Sequence, residues 1–259
     1  MSLSSKLSNA PLVYVLAQVK FSPIADISPY IPKIQEALRK EYPRFDPIIR
    51  QGFQWSIGGS SAPEVLTVRE WDFSNKAKTT GISLSSSSLV MQTTAYTHSD
   101  DFFEQFERSI EVVGSIMEPA LVQRIGLRYI DFIVPEGDKA LDAYISPGLM
   151  GLASGALDSK CLRSISETVI KTEVGQLVCR CILANHASPI PSDLMPLRLA
   201  LKKEPDSEKR TAILDTDHFS EKEFDFDPKS IVKNLRALHT LTSKSFKTAV
   251  TQAALKEWE

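Results

Sequence analysis

Two arginines occur in the strand-like segment QRIGLRYIDF, which spans Gln123 to Phe132. Because side chains alternate between the two faces of a strand, Arg124 and Arg128 share one face, with Gly126 between them. Planar guanidinium groups bind phosphate or carboxylate groups through paired hydrogen bonds. The spacing therefore predicts either a two-pronged anion site or two arginines that pair with acidic residues on neighbouring strands.

Neither interpretation of the arginines is excluded by the surrounding sequence. Gly126 leaves space where a ligand or another backbone could approach closely, which favours an anion site. A structural alternative without a ligand is that the aliphatic parts of the arginines lie along a solvent-exposed sheet face, with the guanidinium groups in water. Tyr129 is included in the candidate ligand site, although the alternation places it on the opposite face from Arg124 and Arg128.

A second candidate site lies in the segment ILDTDHF, where Asp215 and Asp217 share one strand face. Two such carboxylates could hold a hard divalent cation, with His239 of the last helix as a further ligand. The alternative is that Asp217 begins a turn and Asp215 pairs with an arginine. His239 also lies near the apolar stripe of its helix, beside Leu238, which is typical of a hydrogen-bonded core histidine.

The three cysteines give a weaker metal signal. Cys179 and Cys181 share a strand face, and only Cys161 and His186 could complete a zinc site with them. Structural zinc sites usually have two closely spaced ligand pairs, so buried thiols are the favoured interpretation. No phosphate-binding glycine loop, nucleophile elbow, HExxH or kinase signature occurs in the sequence. The sequence therefore predicts no catalytic residue and no cofactor.

The elements that must position these residues alternate between strands and helices. Strand-like runs in the first half are PLVYVLAQVKFSP, FDPIIRQGFQWSIGG, EVLTVREWDF and TGISLSSSSLVMQTTAY, the last with a hairpin turn at its serines. A helix is predicted after the first run, and a longer one in THSDDFFEQFERSIEVVGSIM, with Ser99, Asp100 and Asp101 as N-cap signals and an apolar stripe from Phe102 to Val113.

After the central strand the pattern restarts. A short helix is predicted in DKALDAYISPGLMGLA, then strands in CLRSISETVIKTEV, QLVCRCILANH, MPLRLALKK and RTAILDTDHF, then a long helix from about Pro228 to Trp258. We therefore predict an α+β fold: an antiparallel sheet with helices packed on one face. The chain forms one domain, residues 1–259, with pseudo-repeats 1–118 and 119–259 as a candidate duplication.

Composition limits the classes of function. The chain has 259 residues, of which 42% are hydrophobic and 24% charged, with a net charge of −2. Its pI of about 6.1 gives no strong nucleic-acid signal, because dedicated binding domains are usually basic. No run of apolar residues is long enough for a membrane span, and the N-terminus lacks signal-peptide features. Three cysteines without secretory features predict reduced thiols and a cytoplasmic location.

Three segments together resemble a known family: LSNAPLVYVLAQVKF at the start, RIGLRYID in the middle, and AILDTDHF followed by LRALHTLTSKSFKTAVT at the end. The chain resembles a sporadically distributed bacterial and archaeal family of proteins of about this length and of unknown function. The resemblance spans essentially the whole chain. The family often has asparagine where this chain has Asp131. Its patchy distribution implies an accessory gene, such as one in a host-defence or toxin-linked locus.

These features lead to two functional hypotheses. The first is a cytoplasmic, non-enzymatic binding or regulatory protein that acts through a protein partner. The alternative is a sensor or enzyme that acts on a phosphorylated ligand, either a nucleotide or RNA, through Arg124 and Arg128, and an anionic small molecule is then a candidate partner. The two hypotheses separate structurally, because a ligand site requires the arginines to converge in a pocket, whereas a scaffold has them ion-paired and covered.

Overall fold

The sheet is the core of the molecule. The computed structural model describes residues 7, 9–54, 64–152, 161–185, 188–201 and 209–259. Within these residues, ten strands form one antiparallel sheet. The strands are β1 (Leu12–Phe21), β2 (Arg44–Gln54), β3 (Glu64–Ser74), β4 (Thr80–Leu84), β5 (Ser88–Thr93), β6 (Leu121–Ile133), β7 (Arg163–Lys171), β8 (Gln176–Asn185), β9 (Arg210–Ser220) and β10 (Phe224–Asp225).

The helices cover one face of this sheet, which we call the helix face. They are α1 (Ile31–Leu38), α2 (Ser99–Met117), α3 (Pro228–Ala249) and α4 (Gln252–Trp258). Side chains from α1, α2 and α3 form one buried apolar cluster with β1, β4, β5 and β6, and the C-terminal end of α3 joins α4 in a second cluster over β8 and β9. The predicted fold class, an antiparallel sheet with helices on one face, is confirmed. No helix in the described ranges is long and apolar enough to cross a membrane.

The order of the strands repeats about the sheet centre. The path is β2-β3-β4-β5-β1-β6-β9-β8-β7, with β10 added beside one end of β6. In the first half, β1 lies at the centre, and β5, β4, β3 and β2 follow outward in that order. In the second half, β6 lies at the centre, and β9, β8 and β7 follow outward. The central pair, β1 with β6, is antiparallel. This is the arrangement that two repeats related by a two-fold axis would adopt, and the duplication itself remains a prediction.

Helix α2 follows the apolar spacing of its sequence. Phe103, Phe106 and Ile110 are fully buried against the sheet and the other helices. Its N-cap is His98 rather than the serine and aspartates expected from the sequence, because the His98 ring Nδ1 accepts the amide hydrogen of Asp100 at 3.2 Å. Asp100 and Asp101 lie in the first turn, where a carboxylate is stabilised by the helix dipole.

Three sequence-based assignments in the second half are wrong. The expected short helix after β6 is replaced by two 3-10 turns, Leu141–Ala143 and Pro147–Leu149. The expected long C-terminal helix is broken at Val250, which forms a β-bridge with Ile145 and separates α3 from α4. The run MPLRLALKK, within its described residues, forms no strand and belongs to a covering segment.

That covering segment, residues 188–201, lies on the second face of the sheet, opposite the helices. We call it the strap. Four of its apolar side chains pack against Tyr14, Ile130, Phe132 and Ile213 of the second face, namely Ile190, Leu194, Leu197 and Leu201. Near its C-terminal end the Ala200 amide donates to the Lys78 carbonyl, and the Thr94 hydroxyl donates to the Ala200 carbonyl, each at 2.7 Å. The strap covers only part of the second face.

We expect Phe106→Ala or Ile110→Ala to lower the free energy of unfolding by about 2–5 kcal/mol, because each leaves a cavity in the main core. Urea denaturation measures this change. Glu111→Ala, at an exposed position of the same helix, is the matched control and should change stability by less than about 0.5 kcal/mol. Equal effects at Phe106 and Glu111 would show that the helix buries a different face.

Candidate functional site

The Arg128 guanidinium is bound by two carboxylates on the second face. Its Nε and Nη2 donate to Asp215 Oδ1 and Oδ2, each at 2.8 Å, in a bidentate pair. Its Nη1 and Nη2 donate to Asp193 of the strap at 2.5 and 3.2 Å. These carboxylates hold the pKa of Arg128 above its ordinary value against the opposing effect of burial, and the same contact lowers the pKa of Asp193. Arg128 is therefore occupied by the protein itself.

Asp215 links Arg128 to the edge of the sheet. Its side chain is only 1% exposed, and its Oδ2 also accepts a hydrogen bond from Arg180 Nη1 at 3.0 Å. Arg180 in turn donates to Glu167 of β7 through Nε and Nη2, at 2.8 and 2.5 Å. The result is a row of alternating charges from the strap, through β6, β9 and β8, to the edge strand β7.

The strap is also anchored by an arginine of its own. Arg198 forms salt bridges with Asp72 and Glu70 of β3. Asp72 accepts a hydrogen bond from the Ser83 hydroxyl at 2.7 Å, which fixes the carboxylate. Beside this contact lies a cavity of about 320 Å³, lined by Arg198, Leu199 and residues of β2 to β5. These strap contacts were missed from the sequence, because acidic residues far apart in the chain carry no spacing signal.

Arg124 has a different environment from Arg128. Its Nη1 donates to Gln18 Oε1 at 2.6 Å, and its guanidinium carbon lies 4.5 Å from the centre of the Phe219 ring. A Cβ on Gly126 would lie 3.0 Å from Arg124 Nη1, so the guanidinium itself occupies the space that the glycine leaves. Within the described residues no carboxylate forms a salt bridge with Arg124. Its cross-strand neighbour on β1 is the exposed Lys20.

Tyr129 does not join the arginines. It points to the helix face, is 7% exposed, and its hydroxyl lies 3.0 Å from His239 Nδ1 of α3. Burial raises the pKa of Tyr129 and lowers the pKa of His239, with the Arg236 charge adding to the latter effect. The candidate ligand site of Arg124, Arg128 and Tyr129 is therefore not assembled as one pocket: Arg128 is ion-paired and Tyr129 lies behind the sheet.

The three candidate metal ligands are also separated. Asp215 and Asp217 lie on the second face, as their spacing predicts, whereas His239 lies on the helix face with Tyr129. Asp215 is bound by two arginines, and burial raises the pKa of Asp217 against the lowering effect of Arg124 and Arg128. Across the ranges that the structure describes, no three acidic, histidine or cysteine side chains form a metal-sized cluster.

The cysteines occupy separate environments. Cys179 and Cys181 are buried on the helix face, and burial raises the pKa of both thiols, that of Cys181 to about 12. Cys161 lies apart from them, where its Sγ accepts a hydrogen bond from Arg210 Nη2 at 3.2 Å. His186, the fourth residue of the zinc alternative, is outside the described residues.

Asp131 is a buried carboxyl that the sequence alone did not single out as a titrating group. It is 5% exposed on the helix face of β6, and no hydrogen-bond partner for it occurs among the described residues. Burial raises the pKa of Asp131 to about 8, so the carboxyl is mostly protonated at neutral pH. In the sequence, the only sign of a buried carboxyl here is that Asp131 lies on an otherwise apolar face of its strand.

We expect Arg128→Ala to lower the free energy of unfolding by about 3–5 kcal/mol, because it leaves the buried Asp215 with half its partners and frees Asp193 of the strap. Arg128→Lys should recover only part of this loss, since an ammonium cannot make the bidentate contact. Arg124→Ala is the control and should cost only about 1 kcal/mol, for one hydrogen bond and one ring contact. Urea denaturation of the three variants tests the order, and an equal cost at both positions would contradict it.

We expect Asp131→Asn to stabilise the protein increasingly as pH rises. In the wild type the carboxyl is protonated in the folded state up to about pH 8 but ionises near pH 4 when unfolded. Folding therefore takes up a proton between these values, and stability relative to the variant falls by roughly 1 kcal/mol per pH unit.

Urea denaturation of the wild type and Asp131→Asn at pH 5 and pH 8 measures this difference. An asparagine variant that is less stable than the wild type by the same amount at both pH values would show that Asp131 is ionised and paired.

The chain was compared with family models and with curated proteins, and neither comparison gives a match. The resemblance of its three segments to the sporadically distributed family therefore remains a prediction.

Proposed function

We propose that this protein is a non-enzymatic binding protein that acts through a protein partner, which docks on the part of the second face that the strap leaves uncovered. This docking surface consists of the second-face side chains of β5, β1, β6 and β9 beyond the strap. One observation carries the proposal: Gln18, Val90 and Phe219 are half-buried and Lys20 is exposed, and none of them belongs to the cluster that packs under the strap.

The chemistry of the docking surface supports a protein partner. Apolar Val90 and Phe219 lie on it beside Gln18. Leu16 and Gln92 lie at its border, where Leu16 packs against the strap cluster and Gln92 lines the cavity beside Arg198. Such interleaving of apolar and hydrogen-bonding groups is typical of transient protein interfaces rather than of a closed small-molecule site.

Two cationic side chains on the docking surface indicate the charge that its partner should carry. Lys20 and Arg124 are directly opposite each other on β1 and β6, and no described carboxylate forms a salt bridge with either. The complementary partner presents carboxylates flanked by apolar side chains, because opposite charges at the rim direct association and orientation. A cytoplasmic location and an accessory, defence-linked role belong to the same proposal and rest on the sequence features and the family resemblance.

The same two cations favour a second candidate function, a sensor of a phosphorylated ligand. In this version Arg124 and Lys20 bind the phosphate, and Arg128 takes no part because its N–H groups are already occupied. Arg124 is held in place by its hydrogen bond to Gln18 and its contact with the Phe219 ring, and its remaining N–H groups suit the oxygens of an anion.

The test uses the whole chain as bait in extracts of the cells that encode it, followed by direct binding measurements with each captured protein after purification. We expect the charge-reversed double variant Lys20→Glu with Arg124→Glu to weaken binding at least about tenfold, because two charge pairs become repulsive. Lys33→Glu, which reverses an exposed charge on α1 behind the sheet, is the matched control and should bind as the wild type does.

Equal binding of a purified partner by the double variant would overturn the docking surface. The sensor alternative is separated by melting temperature: a rise on adding inorganic phosphate or ATP in the wild type, but not in Arg124→Ala, would favour the phosphorylated ligand over the protein partner.

A further inference from the structure

The edge strand β7 has no partner on its outer side among the described residues, where it pairs with β8 alone. It is nine residues long, contains neither proline nor glycine, and exposes Ile165 and Val169 by 52% and 54%. Native edge strands are usually shortened or interrupted to prevent pairing with another chain. The opposite edge strand, β2, carries Pro47 in this protective role.

The free backbone groups of β7 belong to its odd-numbered residues. The hairpin from β7 to β8 is closed by the Thr172 amide, which donates to the Gly175 carbonyl at 2.8 Å. In an antiparallel ladder, hydrogen-bonded and non-hydrogen-bonded residue pairs alternate. The even-numbered residues of β7 therefore bond to β8, and Arg163, Ile165 and Glu167 direct their N–H and C=O groups outward, where the Arg163 carbonyl accepts one long hydrogen bond from the Cys161 thiol at 3.5 Å.

Two rows of side chains on the second face end abruptly at this edge. An apolar row runs through Phe132, Ile213 and Ile182 to Ile165. The adjacent row alternates in charge through Asp215 and Arg180 to Glu167. The first row ends on an exposed isoleucine and the second on an acidic residue, so the pattern calls for an apolar and a basic neighbour on the next strand.

We propose that the occupant is a second copy of this chain, whose β7 pairs antiparallel with the first about a two-fold axis at Ile165. Each Ile165 then lies opposite the partner's Ile165, and each Arg163 lies opposite the partner's Glu167. The apolar row then continues from Ile165 of one chain to Ile165 of the other. The charged row continues from Glu167 of one chain to Arg163 of the other. The outward N–H and C=O groups of all three residues are satisfied, and the two sheets become one.

The neighbouring registers fit less well. A two-fold axis at Glu167 places the two glutamates opposite each other and Arg163 opposite Lys171, which repel. An axis at Val169 pairs Glu167 with Lys171 but leaves Ile165 beside Glu173 of the turn. An axis at Ser164 or Ser166 would place Ile165 opposite Arg163 or Glu167. Of these five axes, only the one at Ile165 joins both rows of the second face.

This self-association is independent of the docking surface proposed above, which lies on β5, β1, β6 and β9. A dimer leaves Lys20 and Arg124 uncovered and presents two copies of that surface on one continuous sheet. Failure of the dimer leaves partner binding through Lys20 and Arg124 unaffected, and the reverse also holds, because the variants that test them are different.

Sedimentation velocity of the whole chain tests the dimer. We expect the wild type to reach about twice the 28.8 kDa of one chain at concentrations up to about 0.1 mM. Ile165→Lys, and separately Arg163→Glu, should raise the dissociation constant at least about tenfold. Ile49→Lys, which changes an isoleucine on the opposite edge strand that is 65% exposed, is the matched control and should leave the dimer intact.

A cysteine pair tests the register. In a Cys161→Ser background, Ile165→Cys places two thiols on residues whose Cα atoms lie about 5.5 Å apart, within disulfide range, so mild oxidation should give a covalent dimer. A monomeric wild type overturns the proposal, as does a dimer that survives Ile165→Lys but is lost in Ile49→Lys. Crosslinking through Val169→Cys without crosslinking through Ile165→Cys overturns this register.

Discussion

The carboxylate of Asp215 binds together parts of the protein that are far apart in the sequence. It is almost inaccessible to water, and it accepts hydrogen bonds from both Arg128 and Arg180. Removing a carboxylate from water costs several kcal/mol, which only well-oriented cations can offset. The two arginines supply that compensation from strands on either side, so β6, β9 and β8 are fixed in one register by charge as well as by backbone hydrogen bonds.

The same interaction explains why the strap lies on the sheet. Arg128 has N–H groups left over after binding Asp215, and they bind Asp193 of the strap. At the other end the roles reverse, because the strap contributes Arg198 and β3 contributes the carboxylates. Between these two contacts Leu194 and Leu197 pack against the sheet, and beyond Arg198 the backbone of Ala200 bonds to Lys78 and Thr94. The strap therefore has no strand pairing but is held by two arginine contacts, one made by Arg128 of the sheet and the other by its own Arg198.

Features that depend on residues close together in the sequence could be predicted, and features that depend on contacts between distant segments could not. Alternation within β6 correctly placed Arg124 and Arg128 on one face and Tyr129 on the other, because strand geometry is local. The last part of the strap has the sequence pattern of a strand, because Leu197, Leu199 and Leu201 alternate as strand residues do. An alternation of apolar and polar residues indicates an extended chain with one buried side, whether or not its backbone is hydrogen-bonded to a neighbouring strand. Likewise, the apolar spacing of the C-terminal helix continues through Val250, and only the distant Ile145 diverts that residue into a β-bridge.

The candidate site illustrates the same limit. The spacing of Asp215 fits both a metal ligand and an arginine partner, since both chemistries require a carboxylate on a strand face. Its neighbours across the sheet make the difference: two guanidinium groups repel a cation that the same carboxylate would otherwise attract. Arg124 forms no salt bridge with a described carboxylate, although its charge lowers the pKa of Asp217 on the same face. The charges are therefore directly paired near the strap and only loosely matched beyond it. Because the strap covers one region only, it divides the second face of the sheet into a closed region and an open one.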